Sequence, residues 1–372
     1  MPRIVTIRTV AERAGCSIAT VSRVINGSAR TSAEVEARVR AAVEELGFRP
    51  SEIGRSLKTL RTRTLGVVIP SLTNPVFAAS VAGMEAEARR RHHTLLLTAT
   101  DYDAAREPEV VETLVAQSVA GLVLTVTDAD DNPTLDRLDA GGIPYVLIYN
   151  EPRRAERAAV SVDNAAATFA LTKATIAAGH RRLVYVAGRF ATSDRARARY
   201  LGHLAAMSEA GLPAEPPLEL DYLADPAGHG AALAHVFATP RRPTAALCSN
   251  DLLALSVMGA LRGLGLKVPE DVSVAGFDGI ALAGAVFPTL ATVDTPTRRM
   301  GERAVEKIFE MLEGAAGPTP ERLPFKLRPG GTLAAAPGAV PGALPGAPPR
   351  RTDDACPSPS ASPSASPATP SE

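Results

Sequence analysis

Seven side chains near the start of the chain fall together on a segment able to read a nucleic acid: Ser17, Ile18, Ala19, Thr20, Ser22, Arg23 and Asn26. An arginine can donate two parallel hydrogen bonds to guanine O6 and N7, and small apolar side chains can meet thymine methyls. Hydroxyls and amides suit phosphate oxygens, which position a protein on a duplex without specifying its sequence. The elements that must present them are two short helices joined by a tight turn between Thr6 and Gly27. Val10, Ala11 and Ala14 fall on one buried face, and Val21, Val24 and Ile25 on a second. Thr6 and Ser17 stand at N-cap positions, and Gly15 allows the turn without a Cβ penalty. This is a helix-turn-helix pattern, whose second helix enters the DNA major groove. Ile18, Ala19 and Arg23 then face base edges. Ser17, Thr20, Ser22 and Asn26 face phosphates, with Thr6 beside them. The alternatives are ordinary helix packing for Ile18 and Ala19, and a phosphate contact for Arg23.

A third helix is expected over Ala33–Leu46, capped by Ser32, striped with Val35, Val39, Ala42, Val43 and Leu46, and stopped by Gly47. Residues 51–60 read as a weakly helical linker in which Arg55, Lys58 and Arg61 flank Leu57. The 372-residue chain is neutral overall, with 40 Lys or Arg against 40 Asp or Glu. Residues 1–63 nevertheless hold twelve basic residues against six acidic ones, the electrostatic footprint of a DNA reader. Cys16, Cys248 and Cys356 lack metal-type or disulfide-type spacing. With no apolar run long enough for a membrane span and no signal-peptide pattern, a cytoplasmic protein without metal or cofactor is expected.

From Thr64 onward, apolar strand-length runs alternate with amphipathic helices, beginning with Leu65–Ile69 and a helix to about Arg91. A second series opens with a helix from Ala165 and runs to the strand Ser273–Phe277. Strands buried on both faces between helices imply open parallel sheets covered on both sides. Two series in tandem predict two α/β lobes with a cleft between them. Ligands of such sheets bind at the carboxyl ends of the strands, so the loops after Ile69, Thr125, Tyr149, Ala187, Tyr222, Ser249 and Phe277 frame the candidate pocket. The expected division is a headpiece over 1–50, a linker over 51–63, two lobes over 64–332 and a disordered Pro/Ala/Ser-rich tail over 333–372. No Gly-x-Ser-x-Gly elbow, phosphate loop, dinucleotide fingerprint or metal-type histidine cluster argues for an enzyme. A transport-type binding protein would need export, against which the headpiece speaks.

Five segments in order resemble the lactose-repressor/galactose-repressor (LacI/GalR) family of bacterial transcription regulators. They are Ile7–Asn26, Glu45–Pro50, Arg55-Ser56-Leu57, Thr64–Pro70 with Thr73-Asn74-Pro75, and Val268–Asp278. The resemblance implies a homodimer whose two headpieces bind a pseudo-palindromic operator on double-stranded DNA. A small effector in a cleft like that of periplasmic sugar-binding proteins would set operator affinity. It further implies that the linker folds into a hinge helix on DNA, Arg55 contacting DNA and Leu57 wedging into the minor groove. The alternative for Leu57 is packing on its own lobe. Gly54 and Ser51 depart from the alanine and asparagine common there. Glycine costs about 1 kcal/mol of helix propensity against alanine, so this hinge should depend more on effector state or dimer contacts. Thr9 replaces a common aspartate, removing a helix-dipole charge.

Matched to the family motifs, Arg199 falls on an arginine that holds effector oxygens, and Asn250 and Asp278 fall on groups that bind hydroxyls. Phe77 and Tyr222 fall on aromatic contact positions. Fork donor, carboxylate and apolar walls suit a polyol. The alternatives are helix caps for Asn250 and Asp278 and a surface ion pair for Arg199. Tyr149-Asn150 stands where many relatives carry Asp-Arg, which disfavours an ordinary hexose, and Arg195, Arg197 and Arg199 admit a phosphorylated or carboxylated effector. Alternate helix positions do not share a face, so one or two of the three should reach the cleft. Repression, activation and corepressor dependence all remain open at this level.

Overall fold

Three short helices build the headpiece because each carries its own start or stop signal. The computed structural model describes residues 5–26, 31–48, 62–221, 226–315 and 317–338. Its first elements are α1 (Ile7–Ala14), α2 (Ile18–Asn26) and α3 (Ala33–Glu45). The Thr6 hydroxyl accepts the Thr9 N–H at 3.4 Å, and the Thr9 hydroxyl accepts the Thr6 N–H at 3.3 Å. Thr9 therefore closes a reciprocal capping box, supplying the returning acceptor that an acid would give, without its charge. Gly15 ends α1 at φ 63° and ψ 41°, a left-handed geometry that a Cβ would strain. Ser17 Oγ accepts the Thr20 N–H at 3.1 Å and opens α2. Val10, Ala11, Ala14, Val21, Val39 and Ala42 close the small core.

The two lobes each hold a six-stranded sheet. The first sheet contains β1 (Thr64–Ile69), β2 (Thr94–Ala99), β3 (Gly121–Leu124), β4 (Tyr145–Ile148), β5 (Ala159–Ser161) and β11 (Pro320–Arg322), in the order β11-β5-β4-β3-β1-β2. The second contains β6 (Leu183–Gly188), β7 (Leu218–Leu220), β8 (Ala245–Cys248), β9 (Ser273–Asp278), β10 (Ala291–Asp294) and β12 (Lys326–Arg328), in the order β12-β10-β9-β8-β6-β7. Every pairing is parallel except β10 with β12. The helices are α4 (Pro75–Arg90), α5 (Arg106–Ala116), α6 (Pro133–Ala140), α7 (Asn164–Ala177), α8 (Asp194–Glu209), α9 (Pro226–Phe237), α10 (Asp251–Gly263), α11 (Ala281–Ala285) and α12 (Thr297–Leu312).

The lobes are not tandem in sequence, which corrects the expected arrangement. The chain leaves the first lobe after β5, so that α7 packs against α8 in the second. It returns after β10, so that α12 packs against α4, β3, β4 and β5. Finally β11 completes the first sheet and β12 the second. Sequence reading stopped its elements at Phe277. The later strands are three or four residues long, too short for an apolar run to be distinctive. The α4–α12 contact is backbone to backbone. A Cβ on Gly83 would lie 2.1 Å from Arg298 O, and one on Gly301 would lie 2.0 Å from Ser80 O.

Two further expectations change. β2 departs from the expected strands buried on both faces: it is an edge strand that leaves Leu96 and Leu97 exposed. Residues 333–338 are not part of a free tail. Ala336 N–H bonds to Ala178 O at 2.9 Å, and Ala334 O accepts from the buried His180 ring, 3.1 Å from its Nε2. The remainder of the expected tail, 339–372, lies outside the described residues.

Candidate functional site

Two surfaces collect the residues that sequence reading singled out. On α2, Val21 is fully buried while Ile18, Ala19 and Arg23 are exposed, as is Ser17 just ahead of the helix. Ile18 keeps 43% of its surface in solvent, which apolar burial alone would not produce at a helix start. Spacing of four residues sets Ala19 and Arg23 on one ridge and Ile18 and Ser22 on the next. Ser17 and Thr20 share a hydroxyl contact at 2.9 Å, and Thr6 is engaged in its capping box. The side chain of Asn26, together with Arg55 and Leu57, lies outside the described residues.

The second surface is a cavity between the lobes, lined by Asn74, Val76, Phe77, Tyr102, Tyr149, Ser193, Arg195, Arg199, Asn250 and Asp278. The parallel sheets create it, because most of these residues end a strand or lie in the loop or helix start that follows its carboxyl edge. Phe77 and Tyr149 meet edge to face with ring centroids 5.5 Å apart, and the Tyr149 hydroxyl donates to Val76 O at 3.1 Å. Across from them, Arg199 lies over the Phe277 ring, its guanidinium carbon 3.6 Å from the centroid. Its Nε donates to Asn164 Oδ1 at 2.7 Å and its Nη1 to Ser249 O at 2.5 Å, with Asp278 Oδ1 at 3.4 Å. Arg199 thus pairs inside the cavity and not with a surface acid. Asn250 fills both roles foreseen for it: it lines the cavity, and its Oδ1 caps α10 by accepting the Leu253 N–H at 2.8 Å.

Burial dominates the electrostatics here. Asp278 is pushed up to about 7 by desolvation, against the pull of Arg199. Asp251, which accepts from Ile280 N and from the Thr292 hydroxyl, is pushed up to about 6 for the same reason. Asp278 sits at φ 111°, a conformation rare for any residue with a Cβ, and Thr295 holds its carbonyl through an O–H bond of 2.9 Å. The free space within the cavity is about 30 Å³, room for about two waters and far below the several hundred Å³ of a typical ligand pocket.

Asn150 is the correction. Expected to line the cavity, it is fully buried beside it, and its amide is consumed by other partners. Its Oδ1 accepts the Val126 N–H at 3.0 Å, and its Nδ2 donates to Val126 O at 2.9 Å and to the Asp194 carboxylate at 2.8 Å. Asp194 also accepts the Ala129 N–H at 3.1 Å, and Arg195 Nη1 donates to Val126 O at 2.7 Å. These bonds clasp the start of α8 to the first lobe. Of the three clustered arginines, Arg195 and Arg199 reach the cavity four residues apart on α8, whereas Arg197 turns outward to Phe190 O. Asn74, Val76, Tyr102 and Ser193 were missed. Asn74 and Ser193 were findable as caps of the helices that follow strands. Tyr222 lies outside the described residues.

Comparison with known proteins agrees with this architecture. Residues 6–51 match the family described as bacterial regulatory proteins, lacI family, and residues 172–333 match a periplasmic binding protein-like domain. The chain is 31% identical to the ribose operon repressor of Haemophilus influenzae, covering 83% of this chain and 92% of that protein. It is likewise 31% identical to the transcriptional regulator GntR of Escherichia coli K12, covering 88% and 98%. Among solved structures, the lac repressor dimer bound to operator and an anti-inducer superposes with a TM-score of 0.79 at 25% identity, covering 90% of this chain and all of that one.

Proposed function

The chain belongs to the LacI family of bacterial regulatory proteins, and from that premise we propose a cytoplasmic, operator-binding transcriptional repressor whose DNA affinity is set by a small polar metabolite held between the lobes. The observation that carries the reading is the exposure of Ile18, Ala19 and Arg23 on two adjacent ridges of α2, set on a headpiece that joins lobes with a charged internal cavity. Ile18 and Ala19 meet thymine methyls and Arg23 a guanine edge, while Thr6, Ser17, Thr20, Ser22 and Asn26 hold phosphates. Arg55 and Leu57 complete the interface at the operator centre, Leu57 as a minor-groove wedge. No described helix is long and apolar enough to cross a membrane.

The protein works as a homodimer on a pseudo-palindromic site, because each headpiece reads one half-site. Phe77, Tyr149, Arg199, Asn250 and Asp278 contact the metabolite, and Tyr222 serves as a further aromatic contact. Effector and operator then act on one equilibrium of lobe positions, so each shifts the affinity of the other by the same factor.

Selection of duplexes from a random-sequence library by the purified full-length chain at moderate salt tests this reading. A palindrome with a deformable central step is expected. Absence of any enriched sequence would mean that a corepressor is required or that the hinge does not order, which repetition with Gly54→Ala separates; an enriched site without two-fold symmetry would remove the reading. Equal operator affinity with and without a metabolite that binds the cleft would remove the coupling alone.

A further inference from the structure

The hydrogen-bonding inventory of the interlobe cavity is lopsided, and the imbalance names a ligand class. Three helix N-termini converge on it: Asn74 caps α4, Ser193 caps α8 and Asn250 caps α10, and all three caps line the cavity. The positive ends of three backbone dipoles therefore point at one small space. Each asparagine spends its Oδ1 on a helix N–H, at 3.2 Å for Asn74 and 2.8 Å for Asn250. That leaves both Nδ2 groups as donors for whatever enters.

The arginines add to the surplus. Arg195 and Arg199 are both buried, yet each engages only part of its guanidinium: Nη1 of Arg195, and Nε and Nη1 of Arg199. No described residue accepts a hydrogen bond from Nη2 of either. The acids, by contrast, are largely occupied. Asp194 takes Asn150, the Ala129 N–H and Arg195, Asp251 takes Ile280 N and Thr292, and Asp278 faces Arg199. Free donors thus outnumber free charged acceptors around the cavity.

We propose that the cavity takes a metabolite bearing an oxyanion, a carboxylate or phosphate on a small polyol skeleton, gripped jointly by Arg195 and Arg199 with the Asn74 and Asn250 amides. This rests on the reading of the cleft as the effector site and specifies what fills it. Each arginine meets one acid through Nη1, Arg195 with Asp194 at 3.1 Å and Arg199 with Asp278 at 3.4 Å, and each keeps its Nη2 for the ligand. Asp278 keeps one oxygen for a ligand hydroxyl, which favours a hydroxylated skeleton over a bare anion.

The test is thermal unfolding of the full-length chain titrated with sodium phosphate, sodium gluconate and glucose at matched ionic strength. Phosphate or gluconate is expected to raise the melting temperature saturably at millimolar concentration, with glucose inert. The arm with the lower half-saturation distinguishes phosphate from carboxylate. Arg195→Gln should weaken the response at least tenfold, Arg195→Lys should recover much of it, and Arg197→Gln, altered on the outward face, should match the parent. No response to either anion, or an equal response in Arg195→Gln, overturns the proposal. A response to glucose alone, retained in Arg195→Gln, also overturns it while leaving the cleft as an effector site. Operator binding by the same preparations reports separately on the regulator reading.

Discussion

The headpiece and the interlobe cavity solve the same task, presenting a few polar groups to a ligand, in opposite ways. In the headpiece the contact groups come from one helix, stand in solvent, and rest on a core of six small buried side chains. In the cavity they come from α4, α8, β9 and the loops after β4 and before α10, are buried, and are held by bonds that cross between lobes. A surface read by a rigid duplex needs only a correctly pitched helix. A pocket whose occupancy must move two lobes needs groups that are costly to leave unpaired, since that cost couples filling to closure.

Four outcomes would break or sharpen this contrast, the largest first. Val21→Asp places an unpaired charge in the headpiece core, and operator binding should vanish while the main unfolding transition of the lobes stays within a few degrees. Coupled loss of both in calorimetry would mean the two regions are not energetically separate. Arg199→Gln leaves Asp278 buried without its partner. Effector affinity should fall on the order of 10²-fold, about 3 kcal/mol, with operator binding in the absence of effector retained. Arg23→Ala should cost about 1–3 kcal/mol of operator affinity and relax the preference at one base position of each half-site, as read by competition with single-base variants. A uniform loss across sequences would instead make Arg23 a phosphate contact.

The smallest effect is a pH dependence confined to the second lobe. Asp278 has a folded-state value of about 7, raised above its usual range by burial. The folded protein therefore binds this proton more tightly than the unfolded chain does. Its contribution is fully present below the unfolded value, about 4, and is lost as pH rises through 7. His203, lowered to about 4 by burial, acts in the opposite sense over its own window. Only a difference measurement isolates the acid. Asp278→Asn should gain stability relative to the parent between pH 5 and pH 8. A pH-independent difference in melting temperature would show that Asp278 is ionised throughout.

The regions also differ in how far the sequence disclosed them. Thr6, Gly15, Ser17 and Ser32 announce the headpiece, because caps and turns act over three or four residues and are written locally. The buried pattern Leu65–Ile69 announced parallel sheets equally well. Asn150 was misplaced because a side chain after a strand can face the cleft or the neighbouring lobe, and only the position of Asp194, 44 residues on, decides which. Arg195, noted in sequence only as one of three nearby arginines, proved to be the second cation of the cavity.

The sequence by itself determined the helix-turn-helix, the alternation of strands and helices, and the chemical types able to bind DNA and a polar metabolite. Short-range periodicity and capping dictate these. Tertiary structure alone decided that α12 and β11 return to complete the first lobe, that Arg195 and Arg199 share one cavity, and that Asn150 clasps the lobes together. Those are contacts between residues tens to hundreds of positions apart. They follow from the burial of whole helix faces and sheets, which no local pattern encodes.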